Sequence, residues 1–489
     1  DLFSFDSNPH LFFGHVPHMS TPPPAPMSSV LKMPVVSIRI YNTLSRTKEA
    51  FVPVEPGKVG IYLCGPTVYK EAHIGHMVGP VIFDTVARYL TYCGFEVKWV
   101  VNITDVDDKL IAQAEQRQIP MAQVATQMTA DYCANLLEMG VDQITEMPRA
   151  TENMNEIIEF IGQLIDREFA YSADGDVFFD VVRNSEYGKL TNRSPDDQQG
   201  EGGKAASKKR SPGDFALWKA ARPGEPSWES PWGQGRPGWH IECSVMSLEN
   251  LGEHFDIHGG GPDLLFPHHE NEIAQSECAS NCKLANYWMH SGLLKINGEK
   301  MSKSLGNFAM LKDLFKSYHP EVIRYYLISS HYRSALNFDN ASLDQARSAL
   351  TRLYQALSIA SSDESDLDGD SVKEFVDSMN DDLNTPEALS TLFKLAKLIN
   401  SCKDVQDRTK YSSTMKRLGM VLGLLNDSPD VFFQYGASLS DEEIEAQIKE
   451  RNDARKAKDF QKADQIRDDL AAKGILLDDS SDRTTWKKS

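Results

Sequence analysis

Residues 64–76 constrain the fold of this chain more than any other stretch, and they read Cys-Gly-Pro-Thr-Val-Tyr-Lys-Glu-Ala-His-Ile-Gly-His. The apolar run at 59–63 predicts a buried strand before them, and the segment after Val81 has the spacing of a helix. A strand, a glycine-containing turn and a helix N-terminus together attract phosphate, because the helix offers unpaired N–H groups and positive dipole charge. This order of elements predicts a nucleotide site.

Three residues of this stretch suit contact with a nucleotide. His73 and His76 are three positions apart, about one helical turn, so both imidazoles can face the same phosphate. Hydrogen bonds from imidazoles stabilise charge that develops at phosphorus. Gly75 has no side chain, so a nucleotide can approach the backbone closely. Taken alone, the pattern is equally compatible with a helix cap and two incidental histidines.

A second stretch, residues 297–307, decides between these readings. It is a polar loop, Asn-Gly-Glu-Lys-Met-Ser-Lys-Ser-Leu-Gly-Asn, with a glycine near each end. Its lysines, Lys300 and Lys303, suit a clamp that closes on a polyphosphate and then opens, although an exposed basic loop is the plainer alternative. In this order, the two stretches resemble the HIGH and KMSKS signatures of class I aminoacyl-tRNA synthetases. The resemblance implies that His73, His76, Lys300 and Lys303 are catalytic.

The alternation of strands and helices from Val35 onward predicts a parallel sheet. A second strand is predicted at 97–103, and Thr104 follows it at the sheet edge where ligands bind in α/β folds. With the resemblance, we expect an α/β fold with a Rossmann-like, doubly wound parallel sheet and an insertion, followed by an all-α anticodon-binding bundle and a small C-terminal segment. The expected parts are a disordered or leader-like extension at 1–34, the first half of the catalytic domain at 35–140, a connective insertion at 141–230, the second half with the KMSKS loop at 231–340, the helical anticodon-binding domain at 341–432 and a C-terminal tRNA-binding segment at 440–489.

Length and composition limit the number of domains and the cellular compartment that we expect for this chain. The length of 489 residues suggests about three domains, and no apolar run of about 18 residues exists, so we expect no membrane contact. Seven scattered cysteines fit a reducing compartment. Residues 1–34 contain no arginine, which is unusual for a transit peptide, so we expect a cytoplasmic protein, with an organelle as the alternative if this extension is a leader.

The net charge of −19 weakens an RNA-binding hypothesis without excluding it, because local basic surface matters more than the total. Two basic groups are candidates. The loop at 198–211 is either solvated or in contact with an RNA end. The amphipathic stretch at 441–473 carries its apolar stripe on six residues and its cations on seven. The stripe is Ala454, Ala457, Phe460, Ala463, Ile466 and Leu470, and the cations, which either are solvated or bind phosphate, are Lys449, Arg451, Arg455, Lys456, Lys458, Lys462 and Arg467.

Four residues from separate segments have the chemistry of a metal site. Cys64, Cys243, His268 and Glu272 offer two thiolates, an imidazole and a carboxylate, which suit tetrahedral zinc, although buried free thiols are the alternative. Pro267 suits the first turn of a helix, which would place the last two of these residues on one face.

The surrounding stretches resemble one family. Gly-Trp-His-Ile-Glu-Cys at 238–243, Phe-Pro-His-His-Glu-Asn-Glu at 266–272, Met-Asn-Asp-Asp-Leu-Asn-Thr-Pro at 379–386 and Thr-Thr-Trp at 484–486 are similar to segments of cysteinyl-tRNA synthetases of the bacterial type, from about residue 36 to the end. The resemblance implies that the four residues above are the zinc ligands, with His269 and Glu270 as rivals.

It also implies the partners: ATP with magnesium, L-cysteine and the tRNA for cysteine, bound by a monomer. Thr104, Trp239 and His258 would line the amino-acid pocket. The residues near ATP would be His73, Gly75, His76, Gly260, Gly261, Asp263 and Lys303.

A metal makes chemical sense for this substrate. Cysteine and serine differ only in sulfur against oxygen, and packing separates such near-isosteres by about 1–3 kcal/mol. A soft zinc–thiolate bond supplies the additional difference. Two alternatives stay open at this point: a ligase that joins cysteine to an amino sugar, as in mycothiol synthesis, and an inactive RNA-binding homologue. The intact signatures argue against the second, and the long helical tail argues against the first.

Overall fold

The computed structural model describes residues 37–193, 206–296, 298–300, 309–361, 366–437, 439–479 and 484–488. Lys303 and the N-terminal extension at 1–34 lie outside this part. The first elements are a hairpin, two parallel strands and three helices: β1 (Arg39–Asn42), β2 (Thr47–Ala50), β3 (Lys58–Leu63), α1 (Ile74–Tyr92), β4 (Glu96–Val101), α2 (Asp108–Arg117) and α3 (Met121–Glu138).

The middle of the chain alternates between a small antiparallel sheet and the central sheet. Its elements are α4 (Met154–Asp166), β5 (Ala170–Ala173), β6 (Asp176–Phe179), β7 (Phe215–Ala220), β8 (Gly235–Pro237), α5 (Trp239–Leu251), β9 (Phe255–Gly260), α6 (Glu270–Ser280), β10 (Ala285–His290), β11 (Leu294–Ile296) and β12 (Glu299–Lys300). The predicted helix start at Pro267 is wrong, because residues Leu265–His269 form an irregular turn in which Phe266 has extended backbone angles.

The remaining elements are mainly helical: α7 (Leu311–Leu314), α8 (Pro320–Ile328), β13 (Leu336–Phe338), α9 (Asn340–Ser358), α10 (Gly369–Asn380), α11 (Thr385–Ser401), α12 (Val405–Val421), α13 (Pro429–Gln434), α14 (Asp441–Lys456), α15 (Phe460–Ala472), β14 (Ile475–Asp479) and β15 (Thr484–Lys488). The stretch predicted as one amphipathic segment at 441–473 is a pair of helices. The reversal leaves Phe460 at the start of α15, 61% exposed and outside the apolar stripe predicted for it.

The predicted doubly wound parallel sheet is confirmed. Its strand order is β10-β9-β3-β4, and every neighbouring pair runs parallel. From β3 the chain moves through α1 to β4 on one side, and it later reaches β9 on the other side. The crevice at the C-terminal ends of β3 and β9 is therefore the point where the winding reverses, which is where ligands bind in such sheets.

Buried apolar side chains form two large cores and one small one. The first lies around α1 and continues without a break into the helices α8–α12, so the helical bundle is packed onto the α/β part. The second lies on the other side of the sheet, between α4, α5, α6 and the antiparallel sheet. The small third core belongs to the last helices and strands alone and consists of Ile444, Ile448, Leu470, Ile475 and Trp486. No described helix is long and apolar enough to cross a bilayer.

A fully buried arginine ties the bundle to α1. Arg324 of α8 is 0% exposed, and its Nη2 lies 2.5 Å from Asp84 Oδ2 on α1. Its Nε donates to the carbonyl oxygen of Leu422 over 2.9 Å, at the end of α12. Burial acts to raise the pKa of Asp84, but Arg88 and Arg324 together hold that pKa below its usual value. Two cations thus compensate the charge of Asp84 and offset the free-energy cost of burying it.

This junction generates a prediction for Gly423, which has φ +71° and whose added Cβ would lie 2.2 Å from Arg324 Cζ. Gly423→Ala should lower the melting temperature in calorimetry, through a backbone cost of about 1–2 kcal/mol and a crowding cost of about 1–3 kcal/mol. Gly224→Ala is the matched control, because Gly224 has φ +88° but open space around it. Equal losses in the two variants would show that Arg324 is not packed against this turn.

Candidate metal centre and nucleotide cleft

Three separate segments deliver polar side chains to the crevice between β3 and β9. Cys64 directly follows β3, and its backbone N–H donates to the carbonyl oxygen of Gly259 over 3.2 Å. Cys243 lies in α5, and Glu272 lies in the first turn of α6. His268 comes from the irregular turn before α6. The parallel sheet thus gathers residues that are up to 208 positions apart.

The side-chain atoms of these residues form one tight cluster. Cys64 Sγ lies 3.8 Å from Cys243 Sγ and 3.2 Å from Glu272 Oε1. His268 Nε2 lies 3.0 Å from Glu272 Oε1. All four possible ligand atoms are within 4.8 Å of one another, so a single metal ion can contact all of them. His268 Nε2 is buried and makes no hydrogen bond of acceptable geometry, which leaves this atom available to a metal.

The cluster also perturbs its own protonation. Burial acts to raise the pKa of Cys243, but the hydrogen bond from Cys64 and the charge of His268 bring it down to about 6. Burial acts to lower the pKa of His268, and Glu272 and Cys243 nonetheless raise it to about 10. The pKa of Cys64 is raised by burial and by its negative neighbours. Metal binding at these groups must release protons, which makes the affinity depend on pH.

The structure treats the two rival ligands differently. His269 Nε2 is 4.0 Å from Glu272 Oε1, and an overlapping set of Cys64, His258, His269 and Glu272 also lies within 4.8 Å. His269 Nδ1 lies 2.7 Å from His290 Nε2, and its Nε2, like that of His268, has no hydrogen-bond partner, so His269 stays a rival ligand. Glu270 is not a member of either set, and its carboxylate hydrogen-bonds to the insertion instead.

The three residues predicted to line the amino-acid pocket lie at different depths. Trp239 is the first residue of α5, is 38% exposed and has its ring centroid 4.2 Å from that of His268. Thr104 is buried at the end of β4, where its backbone pairs with Thr67. His258 is fully buried behind the cluster, with Nε2 2.8 Å from Glu272 Oε2 and its ring stacked on Trp288. His258 therefore holds Glu272 in place, and its role in the amino-acid pocket stays a prediction.

Sequence reasoning missed two residues beside the cluster, of which only the first contacts a cluster side chain. His240 Nδ1 lies 2.8 Å from His268 Nδ1, so it can accept a hydrogen bond that leaves His268 Nε2 free for a metal. Glu242 is 1% exposed, has an oxygen without a hydrogen-bond partner and has its pKa raised well above normal by burial and by Cys243. Both belong to the stretch at 238–243, but only the packing of α5 shows which way each side chain points.

The two signature histidines sit at the N-terminus of α1. His73 is the N-cap residue, and its backbone N–H donates to His76 Nδ1 over 3.3 Å. The two rings are stacked with centroids 3.7 Å apart. Burial and the nearby Lys70 lower the pKa of His73 to about 4, and burial and His73 lower the pKa of His76 to about 3. Both imidazoles are therefore neutral near pH 7, beside the Gly75 N–H at the helix start.

Three further nucleotide candidates follow β9. A Cβ at Gly260 would lie 2.5 Å from His269 Cε1, so packing against this ring requires a glycine. A Cβ at Gly261 would lie 2.6 Å from Asp263 Oδ1, and Asp263 itself is exposed. These residues therefore line the same edge of the sheet as Cys64.

One end of the KMSKS loop is attached next to His73, and the other end belongs to a hairpin. On one side, the backbone of Lys300 pairs with Lys295 in the β11–β12 hairpin. On the other side, the Ile74 N–H donates to the Ala309 carbonyl oxygen over 3.0 Å, and Met310 forms a bridge with His73. Lys303 and the side chain of Lys300 lie outside the described residues, whereas Ala309 and Met310 meet the start of α1.

The cations predicted as one basic group in the tail are largely paired. Arg451 is 4% exposed and makes two hydrogen bonds to Asp479, of 2.9 and 2.6 Å. Lys462 Nζ lies 2.8 Å from Glu450 Oε1. In the insertion, Lys208 Nζ likewise lies 2.7 Å from Asp176 Oδ2. Arg451 is thus a structural residue that has no contact to offer a phosphate.

Comparison with known proteins gives a consistent set of matches. Residues 50–348 match the family model of the tRNA synthetases class I (C) catalytic domain. Residues 374–426 match the DALR domain, and residues 439–486 match the cysteinyl-tRNA ligase anticodon binding domain. The chain is 49% identical over 455 residues to the cysteine–tRNA ligase of Sodalis glossinidius, with 92% of this chain and 100% of the relative covered. It is 49% identical over 461 residues to the enzyme of Marinobacter nauticus, with the same coverage.

Solved structures support the fold. The methionyl-tRNA synthetase of Mycobacterium tuberculosis, in complex with methionyl-adenylate, aligns with a TM-score of 0.54 at 14% identity, over 75% of this chain and 89% of that one. The leucyl-tRNA synthetase complex of Agrobacterium radiobacter K84 aligns with a TM-score of 0.53 at 10% identity, over 76% of this chain and 84% of that one. Sequence identities this low support a shared fold and nothing more specific.

The lowered pKa values of His73 and His76 can be tested by NMR. A lowered imidazole pKa favours the neutral form, so both rings should stay neutral as the pH falls from about 8 to about 5.5, a range that crosses the ordinary value of about 6.5. Their Cε1–H signals, assigned with His73→Gln and His76→Gln, should show no protonation shift over this range. A midpoint near 6.5 for either ring would contradict the burial described for this helix start.

Proposed function

The chain belongs to the cysteinyl-tRNA synthetase family, and we propose that it joins L-cysteine to the tRNA for cysteine at the expense of ATP, with a zinc ion in the cluster of Cys64, Cys243, His268 and Glu272. The single observation that carries this proposal is the position of the cluster. It lies at the same sheet edge as the N-terminus of α1, so a sulfur-binding centre and a phosphate-binding helix face one crevice.

The donor set fits zinc. Two thiolates bound to a tetrahedral zinc at about 2.3 Å each lie roughly 3.8 Å apart, and the two sulfur atoms here are 3.8 Å apart. The imidazole atom of His268 that faces the cluster lacks a hydrogen bond, as a ligand nitrogen must. His240 and His258 hold His268 and Glu272 from behind, which is the usual arrangement around bound metals. When bound, zinc supplies a soft Lewis acid that takes the substrate thiol as thiolate and disfavours a hydroxyl.

The first step is attack of the cysteine carboxylate on the α-phosphorus of ATP. A P–O bond to the carboxylate forms, the bond to the β-phosphate oxygen breaks, and pyrophosphate leaves with magnesium. His73 and His76, both neutral, donate hydrogen bonds to the charge on the phosphate oxygens, and the Gly75 N–H at the start of α1 does the same. Lys300 and Lys303 neutralise the leaving pyrophosphate from the KMSKS loop.

In the second step, a hydroxyl of the tRNA's terminal adenosine attacks the carbonyl carbon of cysteinyl-adenylate, and AMP leaves. Thr104 and Trp239 border the amino acid during both steps, and Gly260, Gly261 and Asp263 border the adenosine. The ring of Trp239 is partly exposed and lies against His268, so it can shield the substrate sulfur from water. Ligation by thiolates requires reduced cysteines, which suits the cytoplasm.

We assign tRNA recognition to the helical region at 341–432 and the segment at 440–489. The match of residues 439–486 to an anticodon binding domain supports a tRNA partner over an amino sugar. An enzyme that acts on an amino sugar needs no such C-terminal domain. Unpaired anticodon bases are read by stacking and by hydrogen bonds to their edges. Since Arg451 is buried, we place the phosphate contacts on the exposed cations of this region, such as Lys449 and Lys458.

ATP–pyrophosphate exchange with each amino acid tests the proposal. Cysteine should stimulate exchange over serine by more than the roughly 10–200-fold that packing supplies. Cys243→Ser should lose bound zinc and this discrimination, because a neutral hydroxyl is a poor ligand beside a thiolate. Cys278→Ser is the control, since Cys278 is half-buried in α6 outside the cluster. Comparable exchange with serine and cysteine in the unaltered chain would overturn the proposed specificity.

The separate third core generates a prediction about the tail. A chain that ends at Ala437 loses this core as a unit and leaves the two large cores complete. It should keep cysteine-dependent exchange, while its KM for tRNA rises by about tenfold or more, equivalent to roughly 1.4 kcal/mol of binding. Circular dichroism should be used to check that the shortened chain is folded. If that chain charges tRNA as efficiently as the full chain, the tail has no part in tRNA binding and the amino-sugar reaction becomes the better account.

A further inference from the structure

Glu270 lies in the chain between the two cluster residues His268 and Glu272, but its carboxylate has a different set of partners. It is 1% exposed. Oε1 accepts hydrogen bonds from the N–H groups of Gly188 (3.1 Å) and Leu190 (3.3 Å). Oε2 accepts from the N–H and the hydroxyl of Thr191, over 2.9 and 2.7 Å. All four donors belong to residues 184–193, which we call the strap.

The strap has the shape that a buried carboxylate requires. Consecutive backbone N–H groups that point inward make a concave anion site, and hydrogen bonds to a charged acceptor are among the stronger ones in proteins. Gly188 has φ +96°, and a Cβ there would lie 1.7 Å from the carbonyl oxygen of Arg193. The turn therefore requires glycine at this position, and it holds the backbone N–H groups that donate to Glu270.

The strap contacts α6 at further points around Glu270. The Tyr187 hydroxyl donates to Asn271 Oδ1 over 2.5 Å. Lys189 forms an ion pair with Glu277, two turns along the helix. The guanidinium of Arg193 lies 4.6 Å from the ring centroid of Phe266, before the helix. The strap thus spans the chain on both sides of His268 and Glu272.

These strap contacts matter because α6 begins after an irregular turn and lacks a side-chain N-cap. The turn before it includes Phe266 at φ −140° and ψ 131°, so His268 is not held by a continuous helix. The N-cap residue, His269, provides no side-chain cap. From these contacts we propose that Glu270 is a positioning residue for the metal centre: it fastens the start of α6 to the strap, and it thereby fixes the spacing of His268 and Glu272. This inference rests on the metal centre of the proposed function.

Replacement of one charged oxygen tests the role of Glu270. In Glu270→Gln, an amide group faces backbone N–H groups that need an acceptor, so the start of α6 should shift. Removal of such supporting partners typically weakens metal binding by about 10–100-fold. We expect zinc to pass to a coloured chelator faster by a factor in that range, and the absorption bands of the cobalt-substituted protein to change. KM for cysteine should rise while KM for ATP changes little.

Glu277→Gln is the matched control, because it removes the ion pair with Lys189 from the same helix and the same strap. It should retain zinc within about twofold of the unaltered chain, since it lies beyond the turn that carries the ligands. Thr191→Val removes only the hydroxyl donor at 2.7 Å, so it should move the same readouts in the same direction by a smaller amount. This milder variant decides the question if Glu270→Gln does not fold.

The outcomes separate this inference from the proposed function. If the unaltered chain shows no thiolate-to-cobalt absorption, the metal centre itself is wrong. If it shows that absorption and neither Glu270→Gln nor Thr191→Val alters zinc release or the cobalt spectrum, the strap does not position the centre. Equal acceleration in Glu270→Gln and Glu277→Gln would also overturn the assignment, because it would trace the effect to docking of the strap in general.

Discussion

The parallel pairing of β3 with β9 is the constraint on which the rest of the structure depends. It sets Leu63 opposite Gly259, so that Cys64 leaves one strand beside the point where Gly260 ends the other. The winding of the sheet reverses between these strands, which opens a crevice that α1 enters from one side and α5 and α6 enter from the other. A shift of this register would separate Cys64 from Glu272 and would also move the N-terminus of α1 away from the substrate.

Around this crevice, the buried charge of Glu272 is tolerated because its carboxylate has specific partners. Glu272 has its pKa held well below normal by His258 and His268, in spite of a burial that would raise it. The same logic holds at the junction with the bundle, where Asp84 is compensated by Arg88 and Arg324. In both places one acidic group contacts side chains from other elements, so the relative position of the elements is fixed by polar contacts as well as by packing.

Much of this architecture could be predicted from the sequence. The alternation of elements was enough to predict a parallel sheet, and the resemblance to a known family supplied its doubly wound order and the choice of the four cluster residues, which the fold brings together. The direction of individual side chains could not be predicted. His269 and Glu270 adjoin the cluster residues in the chain and His258 does not, and only packing shows that Glu270 faces the strap while His258 lies behind Glu272. Periodicity also gave no warning that the chain reverses before Phe460, because a short turn barely interrupts the apolar pattern.

The central claim is that the cluster selects cysteine through its sulfur atom. X-ray absorption at the zinc edge of the full chain tests this most directly, because it counts the sulfur neighbours of the metal. The account predicts the two sulfur neighbours of Cys64 and Cys243 in the absence of substrate, one more when cysteine is added, and no change when serine is added. A spectrum that is the same with and without cysteine, or a zinc ion with no sulfur neighbour, would contradict it.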